Sequence, residues 1–163
     1  MRTHGLGADD VDSLVVRLPD DRIHLVNDRD VPNLCAQHLL AVLLLDGALG
    51  FGAAHDRERM RDPAVLALRA RIRLLPDAAL TRALPPRQAI VESRTRDGRQ
   101  LREHARAVRG TPENPMDRPE VEAKALDLLA PVLGAERARA LAEQVWRIER
   151  VKAVRALRPL LQA

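Results

Sequence analysis

The stretch QAIVESRTRDGRQLREHARAV, residues 88–108, decides the fold class. Gln88 to Thr95 and Arg99 to Val108 are strand-like runs flanking Arg96-Asp97-Gly98. An Asp-Gly pair between two such runs is a strong short-range hairpin signal, because a tight turn needs residues that accept positive φ. Upstream, Asp9 and Asp10 precede Val11 to Leu18, a β-branched run closed by Pro19 that reads as the first strand. A short second strand is expected at Ile23 to Val26, and a further one at Arg71 to Leu75, where Ile72 and Leu74 alternate with arginines before Pro76 and Asp77.

Helices lie between and after these strands. Pro32 and Asn33 open an apolar segment that runs through Leu34, Leu39, Leu40, Leu43 and Leu44 to a glycine stop at Gly47. It is expected to be the most buried element. Phe51 to Met60 is polar and helical in pattern. Asp62-Pro63 starts another helix, with Asp62 as N-cap and Pro63 at the first helical position, where its missing N–H costs nothing. After the two prolines of Arg109-Gly110-Thr111-Pro112-Glu113-Asn114-Pro115-Met116 the composition changes, and helices are expected at Glu120 to Leu133, Ala135 to Ile148 and Val151 to Leu161. The reading is α+β: a small unit over residues 1–109 with an antiparallel hairpin and helices, then a crossover loop and helical tail over 110–163. The tail's Leu126, Leu129, Val132, Leu141, Val145 and Trp146 need cover, from one another or from another domain.

Composition bounds what such a chain can do. With 163 residues, 46% apolar and 31% charged, it can bury one sizeable core or two small ones. Leu34 to Leu45 is interrupted by Gln37 and His38 and falls far short of the roughly 20 residues that span a bilayer. Cys35 is the single cysteine, so no internal disulfide forms, and no basic start followed by an apolar run marks a leader; a cytoplasmic protein is expected. Net charge is +4, yet Phe51 and Trp146 are the only aromatic residues, which argues against single-stranded nucleic acid as a partner. Of 27 basic residues two, Lys124 and Lys152, are lysines, leaving 25 arginines, so no single arginine stands out by type.

Two stretches carry a resemblance: Asp62-Pro63-Ala64-Val65-Leu66-Ala67-Leu68-Arg69-Ala70-Arg71, and the RGTPENPM loop followed by Glu120-Val121 and Lys124. Together with the Pro32 to Gly47 helix and the Asp-Gly hairpin, in this order, they resemble the C-terminal lid-domain portion of the MmgE/PrpD family. That family includes 2-methylcitrate dehydratase, cis-aconitate decarboxylase and iminodisuccinate epimerase. The resemblance implies proton chemistry next to a carboxylate, without metal or organic cofactor, and a lid that closes on a larger all-helical domain. The segment joining the two would lie upstream of Met1. The expectation is therefore a small subunit of a lyase, dehydratase or decarboxylase, completed by a separate all-helical subunit in an oligomer. Epimerisation within the same family, and a non-catalytic module that binds a helical partner, are the alternatives.

Such chemistry needs a base to remove the proton and cationic groups to hold carboxylates. His38, beside Gln37 on the apolar helix, is either a core histidine or a site-facing acid/base with Gln37 as a substrate ligand. His55-Asp56 is either a surface pair or an oriented base. Arg57 and Arg59, with Arg61, are either a solvated face or ligands for substrate carboxylates. No His/Cys/Asp/Glu spacing fits a metal site, and none is expected.

Overall fold

The computed structural model describes residues 4–162. The chain forms two compact units, one ending at Asn114 and the other beginning at Pro115. In the first, a four-stranded sheet has the order β2-β1-β3-β4, with β1 at Val11–Pro19, β2 at Ile72–Asp77, β3 at Ala89–Thr95 and β4 at Gln100–Ala105. β1 runs parallel to β2 and antiparallel to β3, and β3 and β4 form the hairpin. The sheet is therefore mixed, and the fold is α+β. Between β1 and β2 the chain makes α1 (Ala36–Asp46), α2 (Phe51–His55) and α3 (Pro63–Arg69). A parallel pair requires such a crossover.

The core lies where α1 and α3 meet the sheet. Val11, Leu14 and Val16 of β1, Ala41, Val42 and Leu44 of α1, Val65 and Leu68 of α3, and Ile72 and Leu74 of β2 are buried together. Alternation puts Leu14 and Val16 of β1 and Ile72 and Leu74 of β2 on one face, and the register shift between Val11 and Ser13 lets Val11 join them. Each valine, leucine or isoleucine side chain so buried contributes about 1.5–3 kcal/mol relative to exposure.

Local chemistry sets the element ends. Gly47 stops α1 in the left-handed region at φ 72°. Asp62 caps α3, its carboxylate accepting the Ala64 N–H at 2.8 Å, and Pro63 follows. In the hairpin, Thr95 N–H donates to the Arg99 carbonyl at 3.0 Å around a three-residue turn whose Gly98 has φ 88°. Beyond β4, Asn114 fastens the RGTPEN loop to the first unit: its side chain donates to the Ala107 carbonyl at 3.2 Å and accepts from Arg109 at 2.7 Å.

The structure corrects several element assignments. Residues 23–26 are not a strand: Ile23–Leu25 is a 3-10 turn. Both edges of β1 are already occupied by β2 and β3, so the N–H groups of Leu25 and Val26 are satisfied locally by the Arg22 and Ile23 carbonyls at 3.0 and 3.1 Å. The polar segment 51–60 is two short helices, α2 and a 3-10 turn at Arg59–Arg61. Asp56 breaks it, because its carboxylate takes the Glu58 and Arg59 N–H groups at 2.8 and 3.2 Å. β2 continues through Pro76, which an edge strand tolerates, and Asp77 then caps an additional helix, α4 (Ala78–Arg82), through the N–H groups of Ala79 and Leu80.

The second unit is helical: α5 (Arg118–Leu133), α6 (Ala135–Trp146) and the short α7 (Arg158–Leu161). Asp117 and Glu120 form a reciprocal capping box at 2.9 and 3.0 Å, which starts α5 two residues before the expected Glu120. The expected helix over 151–161 is shorter, with a 3-10 turn at Val154–Leu157 leading into α7, where Pro159 suits the first turn. Arg118 stacks over the Trp146 ring at 4.7 Å. Leu141 is buried, whereas Val132, Val145 and Val154 are 65%, 51% and 75% exposed.

Candidate functional site

The polar chemistry of the first unit gathers around the start of α1. Gln37 is buried, and its side chain bridges to the preceding loop, accepting the Asp28 N–H at 3.0 Å and donating to Asn27 at 2.6 Å. Asp28 holds φ 51°, a conformation that aspartate adopts more readily than most residues. Its carboxylate in turn pairs with the Arg69 guanidinium at the end of α3. The hydrogen bond that Arg69 donates to Asp28 holds the guanidinium above its ordinary pKa, so it stays charged. Gln37, a candidate substrate ligand by sequence, thus has its amide engaged in joining loop to helix.

His38, the next residue, faces the interior. It has no exposed surface, and neither Nδ1 nor Nε2 has a hydrogen-bond partner. An unmet polar group in such a place costs about 1–3 kcal/mol. Burial lowers the His38 pKa first, and the positive charges of Arg69 and Arg59 lower it further, against a smaller opposing pull from Asp56. The imidazole is therefore neutral near pH 7, with one donor and one acceptor uncommitted.

The segment that follows α2 distributes its side chains differently. Arg59 turns to Asp46 at the end of α1, pairing at 2.9 Å, with Asp62 at 3.8 Å, and the Asp46 hydrogen bond raises its pKa. Its Nε is buried without a hydrogen-bond partner. Arg57 and Arg61 are exposed and line a cleft of about 290 Å³ together with Asp30, Met60 and Arg69. Arg69 also lines a neighbouring cleft of about 490 Å³ with Asn27, Asp28 and Gln37. His55 stands apart from His38: it is exposed, its ring lies 4.1 Å from that of Phe51, and its Nδ1 meets the Phe51 carbonyl at 2.8 Å. A carbonyl only accepts, so Nδ1 carries the proton and Nε2 is the basic nitrogen. Asp56 does not orient it, since that carboxylate caps the next turn.

By sequence Gln37, His38, His55, Arg57, Arg59 and Arg61 stand out, whereas Asp28, Asp30 and Arg69 do not. Arg69 was the detectable one. It follows the buried Val65 by four residues, so it shares the helix face that packs inward. Among the described residues, no group of three or more His, Cys, Asp or Glu side chains is placed to hold a metal ion. Nor is any helix among them long and apolar enough to cross a membrane.

A mixed sheet backed by crossover helices, with a buried imidazole in its first long helix and arginine–aspartate pairs near both ends of that helix, defines an α+β domain. The family model described as the MmgE/PrpD C-terminal domain matches residues 1–149, and the chain belongs to that family. The match takes in the whole first unit and runs through α5 and α6. No curated protein matches the chain.

Proposed function

We propose that the chain is the lid half of a cofactor-independent MmgE/PrpD-type lyase, a dehydratase or decarboxylase acting on a small carboxylate, completed by an all-helical domain on a separate chain. The family membership supports this class. The observation that carries a chemical role for this chain is His38, a neutral buried imidazole with both nitrogens unpartnered. In this reading His38 is the acid/base that handles the proton next to the carboxylate, with His55 as the second candidate. Arg57 and Arg59 hold carboxylate oxygens, for which the guanidinium fork is suited, and Gln37 fixes the loop beside them. Because His38 is closed off in the lid, docking of the helical domain must open α1 toward the substrate. The protein is then a cytoplasmic, oligomeric enzyme active only when assembled.

The test is solvent deuterium exchange into 2-methylcitrate and cis-aconitate, followed by NMR, with lid and helical partner mixed and with each alone. Exchange or turnover in the mixture only is the expected result. A mixture that leaves every substrate proton untouched contradicts the catalytic reading. In that event the exposed Val132, Val145 and Val154 favour the second reading, a non-catalytic module that binds a helical partner.

A further inference from the structure

β2 is an edge strand with an open flank. The Leu14 N–H donates to the Arg71 carbonyl at 3.0 Å, so alternation turns the backbone groups of Arg71, Arg73 and Leu75 toward β1 and those of Ile72, Leu74 and Pro76 away from it. Among the described residues nothing accepts from the N–H of Ile72 or of Leu74. A groove of about 490 Å³ lies beside this stretch, lined by Ile72, Arg73, Leu74 and Leu75 and by the exposed Leu66 of α3. An unpaired edge is a template for another strand unless its sequence prevents pairing.

We propose that the free edge of β2 pairs antiparallel with the same edge of a second copy of this chain, about a two-fold axis at Leu74. The sequence is self-complementary in that register. The two Leu74 residues exchange N–H to carbonyl bonds, and on either side the Ile72 N–H meets the second copy's Pro76 carbonyl. Both free donors of the edge thus find an acceptor, and the proton that Pro76 lacks leaves only the Ile72 carbonyl to water. Between these pairs, where side chains approach most closely, Arg71 falls opposite the second copy's Asp77 and Arg73 opposite its Leu75. Asp77 caps α4 through Oδ1 alone, which leaves Oδ2 for the guanidinium. Arg71 gives one N–H to the Val11 carbonyl at 3.3 Å and has others to spare. The opposite edge strand, β4, has no such register: a two-fold through its middle sets Arg102 against Arg102 or Glu103 against Glu103, and like charges directly opposite repel. The pairing calls on no substrate and no helical partner, so it stands apart from the lyase reading.

Sedimentation equilibrium of the full chain alone, over a concentration series, tests the proposal together with two variants at one exposed position. Leu75→Glu sets a carboxylate opposite the second copy's Arg73, which makes no ion pair among the described residues, and Leu75→Lys sets a like charge there. Arg17, the neighbour of Leu75 on β1, is already bound to Glu92. The parent is expected to show a reversible monomer–dimer equilibrium. Leu75→Glu then tightens the dimer about 2- to 30-fold, the gain of two cross-strand charge pairs, and Leu75→Lys loosens it by a similar factor. Tightening is a result that a misfolded variant cannot imitate. Hydrogen exchange followed by NMR is expected to show the Ile72 and Leu74 amides slowed at high protein concentration. The proposal is overturned if the parent stays monomeric throughout, if the two variants shift the equilibrium in the same direction or not at all, or if those amides exchange alike at low and high concentration.

Discussion

His38 combines two features that are unfavourable apart from function, full burial and two unpartnered ring nitrogens. Its pKa in the fold is lowered, by burial first and then by Arg69 and Arg59, so the unfolded chain binds the proton more readily than the native one. Stability is whole above the unfolded value of about 6.5 and falls as pH drops through it toward the folded value. Urea denaturation at a series of pH values is expected to show stability falling by up to about 1.4 kcal/mol per pH unit across that window. His38→Gln, which cannot titrate, flattens the slope; an unchanged slope assigns it to other groups. In the assembled enzyme the same substitution is expected to lower kcat about 100- to 10,000-fold, as for loss of a general acid or base. Parent-like turnover by a folded His38→Gln complex makes His38 structural and shifts attention to His55.

Elements succeed or fail by whether their determinants are local. Leu68 of α3 is buried in the core against α1 and the sheet, so Leu68→Ala is expected to cost about 2–5 kcal/mol, read as a shifted urea midpoint at constant slope. Asn114 fastens the RGTPEN loop through Ala107 and Arg109. Asn114→Ala is expected to cost about 0.5–1.5 kcal/mol per hydrogen bond lost and to expose the loop to proteolysis near Gly110; equal proteolysis of parent and variant contradicts that role. The hairpin, α3 and the glycine stop of α1 are legible in the sequence because Asp97-Gly98, Asp62-Pro63 and Gly47 act within a few residues of themselves. Ile23 to Val26 misleads because its pattern suits a strand while β1 has no free edge to offer it. α4 escapes notice because five residues with one buried leucine, Leu80, give no periodicity to read. The surroundings of the arginines are legible only in part. Arg57 and Arg61 stand close in sequence, but Asp30 and Arg69 join them only through the fold.

On the scale of the whole molecule, family membership places the chain among MmgE/PrpD C-terminal domains, and the lyase reading adds that it is a lid that works only with an all-helical partner. That reading carries a metal-independent mechanism, so activity of the assembled enzyme is expected to survive EDTA; loss on chelation with recovery on adding one divalent ion contradicts it. Association itself is the more direct question. The exposed apolar side chains of the tail, Val132, Val145 and Val154 among them, are available to be covered. The measurement is size-exclusion chromatography with light scattering on the chain co-expressed with an all-helical MmgE/PrpD-type protein encoded in the same genome. A stable complex containing both chains, with exchange activity that neither shows alone, is the predicted result, and a well-folded lid that elutes by itself beside an intact helical partner would contradict the account.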